Sequence, residues 1–369
     1  MSEPTPPNVQ YPAVAQPPPY SPQGQPVQYV AMPPRRSFLR RFFFTLLVLA
    51  FIFSVLLNLG LAVILAGSHI EGKLSRKTLT RGDENSVVAV YHVTGVIGAP
   101  AAQQFQTFTR EVVSDSKVKA VVLRVDSPGG GIAASDEIWS MVGKLKEHGK
   151  KVVVSMGGVA ASGGYYISAG ADRIFAEETT ITGSIGVIMA WLVLERGLDK
   201  LGIDPLVLKS THAEGWKDEL SSLKSPDDRQ KAHLREVLDT MQARFEKIVK
   251  DGRGAKLKLT NKAYTATMPA AGGGVRTVEI TETEPLNGKI YMGAEAKALG
   301  LVDDIGYMDQ AIDAAKKLAS LTNPSVIQFE RRQSLIEKMV EGQAAAGIKI
   351  DSSTLDELTT PRVMVLWQP

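Results

Sequence analysis

Three glycine-rich junctions carry the residues of this chain best suited to chemistry. The first reads Asp126-Ser127-Pro128-Gly129-Gly130-Gly131, between a β-branched run and an amphipathic stretch. Consecutive glycines let a backbone approach a ligand closely, and amides at a helix start favour negative charge. That suits an oxyanion hole, although plain strand-to-helix turns share the pattern. Pro128 restricts Ser127 to an extended conformation. The second junction runs from Met156 through Gly157, Gly158, Val159, Ala160 and Ala161 to Ser162, Gly163, Gly164, Tyr165 and Tyr166. Small residues around one hydroxyl leave room for a bound peptide backbone. Ser162 stands just before a predicted helix. A serine there is ordinarily an N-cap, but developing negative charge is also stabilised at that place. The third junction is Thr182-Gly183-Ser184-Ile185-Gly186-Val187, whose serine either satisfies its own turn or orients a neighbouring amine.

A serine nucleophile needs a base. The histidines are His69, His92, His148, His212 and His233; none lies in a glycine-rich junction, and His212 alone falls near a candidate motif. A Ser-His-Asp triad therefore finds little support. Lysine is the remaining choice, and it is competent when desolvation keeps the amine neutral. The chain has no cysteine, which excludes a thiol nucleophile, thiolate metal sites and disulfides. Neither a cofactor nor a metal is expected. The net charge of +3 and the lack of a basic stripe with interleaved aromatics argue against nucleic acid.

These junctions must be positioned by an alternating pattern. Strand-like runs at Val87–Val93, Ala120–Val125, Val152–Ser155, Arg173–Ala176 and Pro205–Lys209 alternate with helical stretches at Ala101–Ser114, Ile132–His148, Gly163–Ala169 and Val193–Leu201. Short β-branched runs separated by amphipathic helices predict an α/β fold with a largely parallel sheet. A long helix is expected over Pro226–Lys250, an irregular insertion over about 265–288, and a further helix at Met308–Leu318. The last forty or so residues carry no readable pattern.

The N-terminal region has a different character. Residues 1–36 hold most of the prolines and almost no charge, which predicts a disordered tail. Arg35, Arg36, Arg40 and Arg41 precede a run from Phe42 to Ala66 without a charged residue. At about 1.5 Å per residue that run exceeds the ~30 Å hydrocarbon core, and it is longer than the h-region of a cleaved signal. The arginines favour a cytoplasmic N-terminus. The expected order is a cytoplasmic tail (1–36), a signal anchor (37–68), a linker (69–86) and an extracytoplasmic catalytic domain (87–369), on the cell (inner) membrane with a single pass.

Ser127–Gly131, Ala160–Tyr166, Thr182–Val187 and the later Asp251-Gly252-Arg253-Gly254 occur in one order. Together they resemble the bacterial signal peptide peptidase A (protease IV) family in its short, single-repeat form, from about Val87 to the C-terminus. The Thr360-Pro361-Arg362-Val363-Met364 ending is similar to that of short members. The resemblance implies a Ser-Lys dyad endopeptidase with Ser162 as nucleophile. Lys209-Ser210 and Lys217-Asp218 fit the family's Lys-Ser…Lys-Asp pattern, so Lys217 matches the base and Ser184 the serine that hydrogen-bonds it. Gly129, Gly130 and Gly163 are the oxyanion candidates. The Thr-His-Ala-Glu-Gly-Trp segment before Lys217 is longer than in the family, which makes Lys209 a rival base. Glu214, Asp218 and Glu219 flank Lys217 and would favour its charged form unless turned away.

The resemblance further implies crotonase- or caseinolytic-protease-like repeated ββα units, a ring-shaped homo-oligomer, and hydrophobic peptide substrates such as remnant signal peptides in the bilayer. Two other readings share parts of the pattern. A crotonase-like acyl-thioester enzyme would use the same oxyanion loop without Ser162, and a catalytically inactive membrane scaffold would need neither Ser162 nor Lys217.

Overall fold

The charge-free run folds as one helix, α1 (Phe38–Ser68), in the first of two units of the chain. Its window Arg41–Leu59 has mean hydropathy 2.6 with no residue buried in protein, which is long and apolar enough to cross a membrane. The few polar side chains turn onto the helix itself. Thr45 Oγ1 donates to the Arg41 carbonyl at 2.9 Å, and Asn58 Nδ2 to the Ser54 carbonyl at 2.7 Å, so both side-chain donors bond within the helix. The computed structural model describes residues 38–68, 74–269, 275–331 and 362–366; the expected tail over 1–36 and the glycines Gly272–Gly274 lie outside them.

The second unit opens with β1 (Leu74–Thr80) and β2 (Asp83–Thr94), followed by α2 (Ala99–Ser114). Next come β3 (Val118–Ser127), the short β4 (Gly129–Gly131) and α3 (Ile132–Glu147), then β5 (Lys151–Ala161) and α4 (Gly163–Ser168). β6 (Arg173–Ala176), β7 (Ile181–Gly183) and β8 (Ile188–Ala190) precede α5 (Glu195–Lys200) and the long α6 (Asp228–Arg253). A hairpin of β9 (Thr260–Pro269) and β10 (Val275–Glu284) leads to β11 (Ile290–Met292), α7 (Gly293–Ala298) and β12 (Asp304–Ile305). α8 (Met308–Leu318), β13 (Pro324–Arg331) and β14 (Arg362–Leu366) complete the described elements.

The central sheet runs β1-β13-β2-β3-β5-β6-β12, with β7 on the far half of β5 and β11 on β7. Its inner pairs are parallel; β1 on β13 and β11 on β7 are antiparallel, so the sheet is mixed. Strands buried on both faces need apolar side chains at nearly every position, and β2, β3 and β5 supply them. Ala89, Tyr91 and Val93 face Phe105, Phe108 and Val112 of α2 and Ile138 and Val142 of α3. Val88 and Val90, one residue out of phase, face Ala311, Ala314 and Ala315 of α8. Each buried valine contributes on the order of 1.5–3 kcal/mol. The aromatic cluster Tyr91, Phe105, Phe108 and Phe329, with Tyr91 and Phe108 stacked at 4.5 Å, pins α2 over β2 and β13.

α6 begins at a capping box. Asp227 accepts from the Gln230 amide at 2.8 Å, and the Gln230 side chain accepts from the Asp227 amide at 3.0 Å. Leu234, Phe245, Ile248 and Val249 form its buried face.

Four expectations change. Within the expected insertion at about 265–288, the described residues up to Glu284 are not irregular: β9 and β10 pair in register from Thr260↔Glu284 to Pro269↔Val275. This hairpin pairs with itself and is exposed along most of its length, so it needs no apolar alternation. Pro205–Lys209 is not a strand: it has no regular secondary structure and is exposed up to Leu208. The supposed linker 69–86 contains β1, a polar edge strand on β13, and the start of β2. The last forty or so residues, which carry no readable pattern, contain β14, and β13, on which no expectation fell, lies inside the sheet.

Candidate active site

β5 bends away from the main sheet at Gly157 and Gly158. Its first half pairs with β6 and its last three residues, Val159–Ala161, pair with β7. A Cβ on Gly157 would stand 2.8 Å from the Asp126 carboxyl carbon, and Asp126 Oδ1 accepts the Val159 amide at 3.1 Å. Glycine is required there because the carboxylate that splices the bent strand to β3 fills the space. The bend carries Ser162 and the Gly129–Gly131 strand together at the C-terminal ends of β5 and β3, where open α/β sheets place their sites.

Ser162 is fully buried at the start of α4, with φ 51° and ψ −113°. It does not act as an N-cap: its side chain makes no capping bond, and Oγ has no hydrogen-bond partner among the described residues. A buried unpaired hydroxyl costs about 1–3 kcal/mol and left-handed backbone on a non-glycine residue a similar amount. Its amide donates to the Gly183 carbonyl at 2.8 Å, which places Ser184 on the adjoining segment of the same chain. Ser184 has φ 50°, is buried, and its amide donates to the Lys289 carbonyl at 2.7 Å.

The glycine strand passes against the start of α4. A Cβ on Gly163 would lie 2.7 Å from Ser135 Oγ, 3.0 Å from Gly129 Cα and 3.1 Å from Gly130 N. A Cβ on Gly130 would lie 2.1 Å from the Ile97 carbonyl oxygen. Only glycines permit this approach. The Gly129 amide donates to Ser127 Oγ at 3.1 Å, which leaves Gly130 and Gly163 as the better-placed oxyanion candidates. β14 runs antiparallel between β4 and β8: Leu366, Val365 and Met364 pair with Gly129, Gly130 and Gly131, while Arg362–Met364 pair with Ala190–Ile188. An extended length of the chain's own backbone thus lies in the slot beside α4.

The two lysines differ sharply. Lys209 is mostly buried; its Nζ donates to Asp218 Oδ2 at 3.0 Å and to the Glu214 carbonyl. Asp218 is lowered to about 2, first by the Lys209 bond and then, against burial, by Gln230 and Lys224. Lys209 is therefore engaged by Asp218 and the Glu214 carbonyl. Lys217 is exposed, has φ 68°, and makes no ion pair among the described residues. The Asp218 carboxylate is turned from it toward Lys209, Lys224 and Gln230. No hydrogen bond within the described residues joins Lys217 to Ser162 or Ser184, so one chain brings the two serines together and leaves this lysine apart.

Asp251–Gly254 closes α6 onto the sheet rather than joining the site. A Cβ on Gly252 would meet the Ala169 carbonyl oxygen at 2.0 Å, and buried Arg253 donates to Asp303 at 3.0 and 3.1 Å and to the Gly300 carbonyl at 2.8 Å. Asp126 and Ser135 also shape the site; Asp126 stood in the first junction without an assigned role, and Ser135 in none of the motifs. Asp126 had a visible signal, an acid closing a buried strand before a glycine run; Ser135, inside an amphipathic helix, had none.

A strained, unpaired serine beside a glycine strand that accepts extended main chain defines the class, a hydrolase acting on polypeptide. The comparisons make this particular. Residues 144–268 match the model of Peptidase family S49. A protein of Enterococcus faecium named as a signal peptide peptidase SppA is 34% identical over 73% of this chain and 74% of its own length. The chloroplastic serine protease SPPA of Arabidopsis thaliana is 31% identical over 73% of this chain, and Protease 4 of Haemophilus influenzae 34% identical over 59%. The chain spans only 38% and 31% of the length of those two. The chain belongs to peptidase family S49, and it is a protease.

Proposed function

We propose that this protein is a membrane-anchored serine endopeptidase that cleaves hydrophobic peptides, such as remnant signal peptides, with Ser162 as nucleophile and Lys217 as general base. The observation that carries the reading is the backbone pairing of residues 362–366 between β4 and β8. It supports a slot that takes an extended peptide as an added strand, a mode in which main-chain bonds hold the peptide. Neither the acyl-thioester enzyme nor the inactive scaffold needs Ser162 held in a strained turn with a free hydroxyl.

In the reaction, Ser162 Oγ attacks the scissile carbonyl carbon while its proton passes to the Lys217 amine, which Ser184 orients. The carbonyl electron pair moves onto oxygen, where the Gly130 and Gly163 amides stabilise it. The C–N bond breaks as the ammonium protonates the leaving amine, and a water deprotonated by the same lysine releases the acyl group from Ser162. Lys217 reaches the serine from a neighbouring copy in a ring-shaped homo-oligomer. Its exposure supports this, as do Leu206 and Leu208, 84% and 85% exposed on the segment leading to it. The catalytic unit takes the crotonase-like arrangement of ββα units, outside the cytoplasm, with α1 as anchor. A fluorophosphonate should label Ser162 in the unmodified protein and fail in Ser162→Ala; a labelled serine elsewhere would overturn the assignment.

A further inference from the structure

α4 is six residues long, too short to hold its own geometry. It is held by its two tyrosines, which reach in different directions. Tyr165 donates to the Leu301 carbonyl at 2.8 Å, a bond within the body of the fold. Tyr166 donates to Asp136 Oδ1 at 2.6 Å, and Arg244 grips the same carboxylate through Nε at 2.9 Å and Nη2 at 2.6 and 2.9 Å. The Tyr166 ring packs on Phe245 at 4.7 Å, and the Arg244 guanidinium lies over Trp139. Burial, then the bond to Asp136, push the Tyr166 phenol up, so it remains a donor.

The positions of these residues in the chain give the cluster its meaning. Tyr166 stands one turn after Ser162, and its amide donates to the Ser162 carbonyl at 2.8 Å. Asp136 stands one turn into α3, which begins directly after Gly131; the neighbouring Ser135 Oγ donates to the Gly131 carbonyl at 3.0 Å. One hydrogen bond therefore spans the two segments whose separation sets the reach from the nucleophile to the oxyanion donors.

We infer that Tyr166, Asp136 and Arg244 form a positioning clamp that fixes the Ser162 turn against the Gly129–Gly131 strand. The inference rests on the reading of Ser162 as nucleophile. Arg244, on α6, orients the Asp136 carboxylate with its planar fork, and Asp136 in turn holds α4 through Tyr166. None of the three touches substrate; they act through the geometry of residues that do.

The full chain in detergent micelles provides the test, with hydrolysis of an internally quenched apolar peptide, the rate of fluorophosphonate labelling and the thermal midpoint all measured. Tyr166→Phe removes one oxygen and keeps the ring on Phe245. It should lower kcat and the labelling rate roughly 10- to 100-fold, with KM changed less than about threefold. Asp136→Asn should do the same, and the double variant should fall no further than the worse single one. Arg244→Lys keeps the charge but not the fork, and should retain more activity than Arg244→Ala. Lower midpoints with unchanged kcat and labelling would reduce the cluster to a brace of the fold and overturn the inference. If Asp136→Asn does not fold, Tyr166→Phe decides alone. Absence of Ser162 labelling in the unmodified protein would instead defeat the functional reading on which the clamp rests.

Discussion

Ser162, Ser184 and Lys217 share a property that their side chains do not advertise: φ values of 51°, 50° and 68°. Among the described non-glycine residues only Ser320 joins them at positive φ. Such backbone costs about 1–3 kcal/mol per residue and persists only where the surroundings impose it, which is why it gathers at functional sites. The motif company of the serines was visible in the sequence; their strain was not, because it is imposed by distant partners such as the Gly183 and Lys289 carbonyls. The choice between lysines was likewise closed to sequence reading. Along the chain the acids lie beside Lys217, and only the fold shows that Asp218 serves Lys209. Lys217→Ala should lower peptide hydrolysis by about 10²–10⁴-fold without loss of folding. Lys209→Ala should lower the thermal midpoint more than Lys217→Ala does, because it removes a partner of buried Asp218, while keeping more activity. A dead Lys209→Ala beside an active Lys217→Ala, each measured by hydrolysis and melting, would reverse the assignment.

At the scale of elements, what could be read from sequence was what the core dictates. β2, β3 and β5 are legible because both their faces are buried, and Met308–Leu318 because its alanines recur on one face. β1, the β9–β10 hairpin and β14 were illegible because their pairing is satisfied by backbone at an edge, in isolation or in a slot, with no apolar alternation required. β13 was missed for another reason. Its strand-like residues are separated in sequence from the β2 that they pair with, and nothing local announces that partner. Asp251–Gly254 was read as part of a family signature, and its physical role emerges only in the fold. Arg253 and Lys256 outweigh the burial of Asp303 and hold its carboxyl at about 2, against an unfolded value of 3.8. A depressed carboxyl contributes stability that is present above the unfolded value and lost as pH falls through the folded one. Asp303→Asn should therefore lower the thermal midpoint at pH 7, and the gap from the unmodified protein should close between about pH 4 and pH 2. A gap that is unchanged at pH 2 would show that the Arg253–Asp303 pair contributes through packing rather than charge.

For the whole molecule, the proposed anchor and the proposed assembly set the context of the reaction. On the proposed topology, the charge-free run Phe42–Ala66 behind four arginines would put the C-terminal unit outside the cytoplasm. A reporter fused after Pro369 should be active there, and an active cytoplasmic reporter would reverse the topology. Assembly bears on the chemistry directly, since each chain holds Ser162 and Ser184 together while its own Lys217 stands exposed. If the lysine comes from a neighbour, two inactive proteins complement one another. Ser162→Ala supplies a lysine without a nucleophile, and Lys217→Ala supplies a nucleophile without a base. Co-assembled in equal amounts into rings, random mixing should give roughly a quarter of the sites both groups, each from a different chain. Hydrolysis should recover to that order relative to the unmodified ring, and each variant alone should stay inactive. If serine and lysine belong to one chain, every site in the mixture lacks one of them, and no ratio of the two variants restores activity. Co-expression from two tagged copies, tandem purification of mixed rings and a peptide assay distinguish the two cases. Activity absent from verified mixed rings would place the dyad within a single chain and require the Lys217 segment to fold back onto its own Ser162.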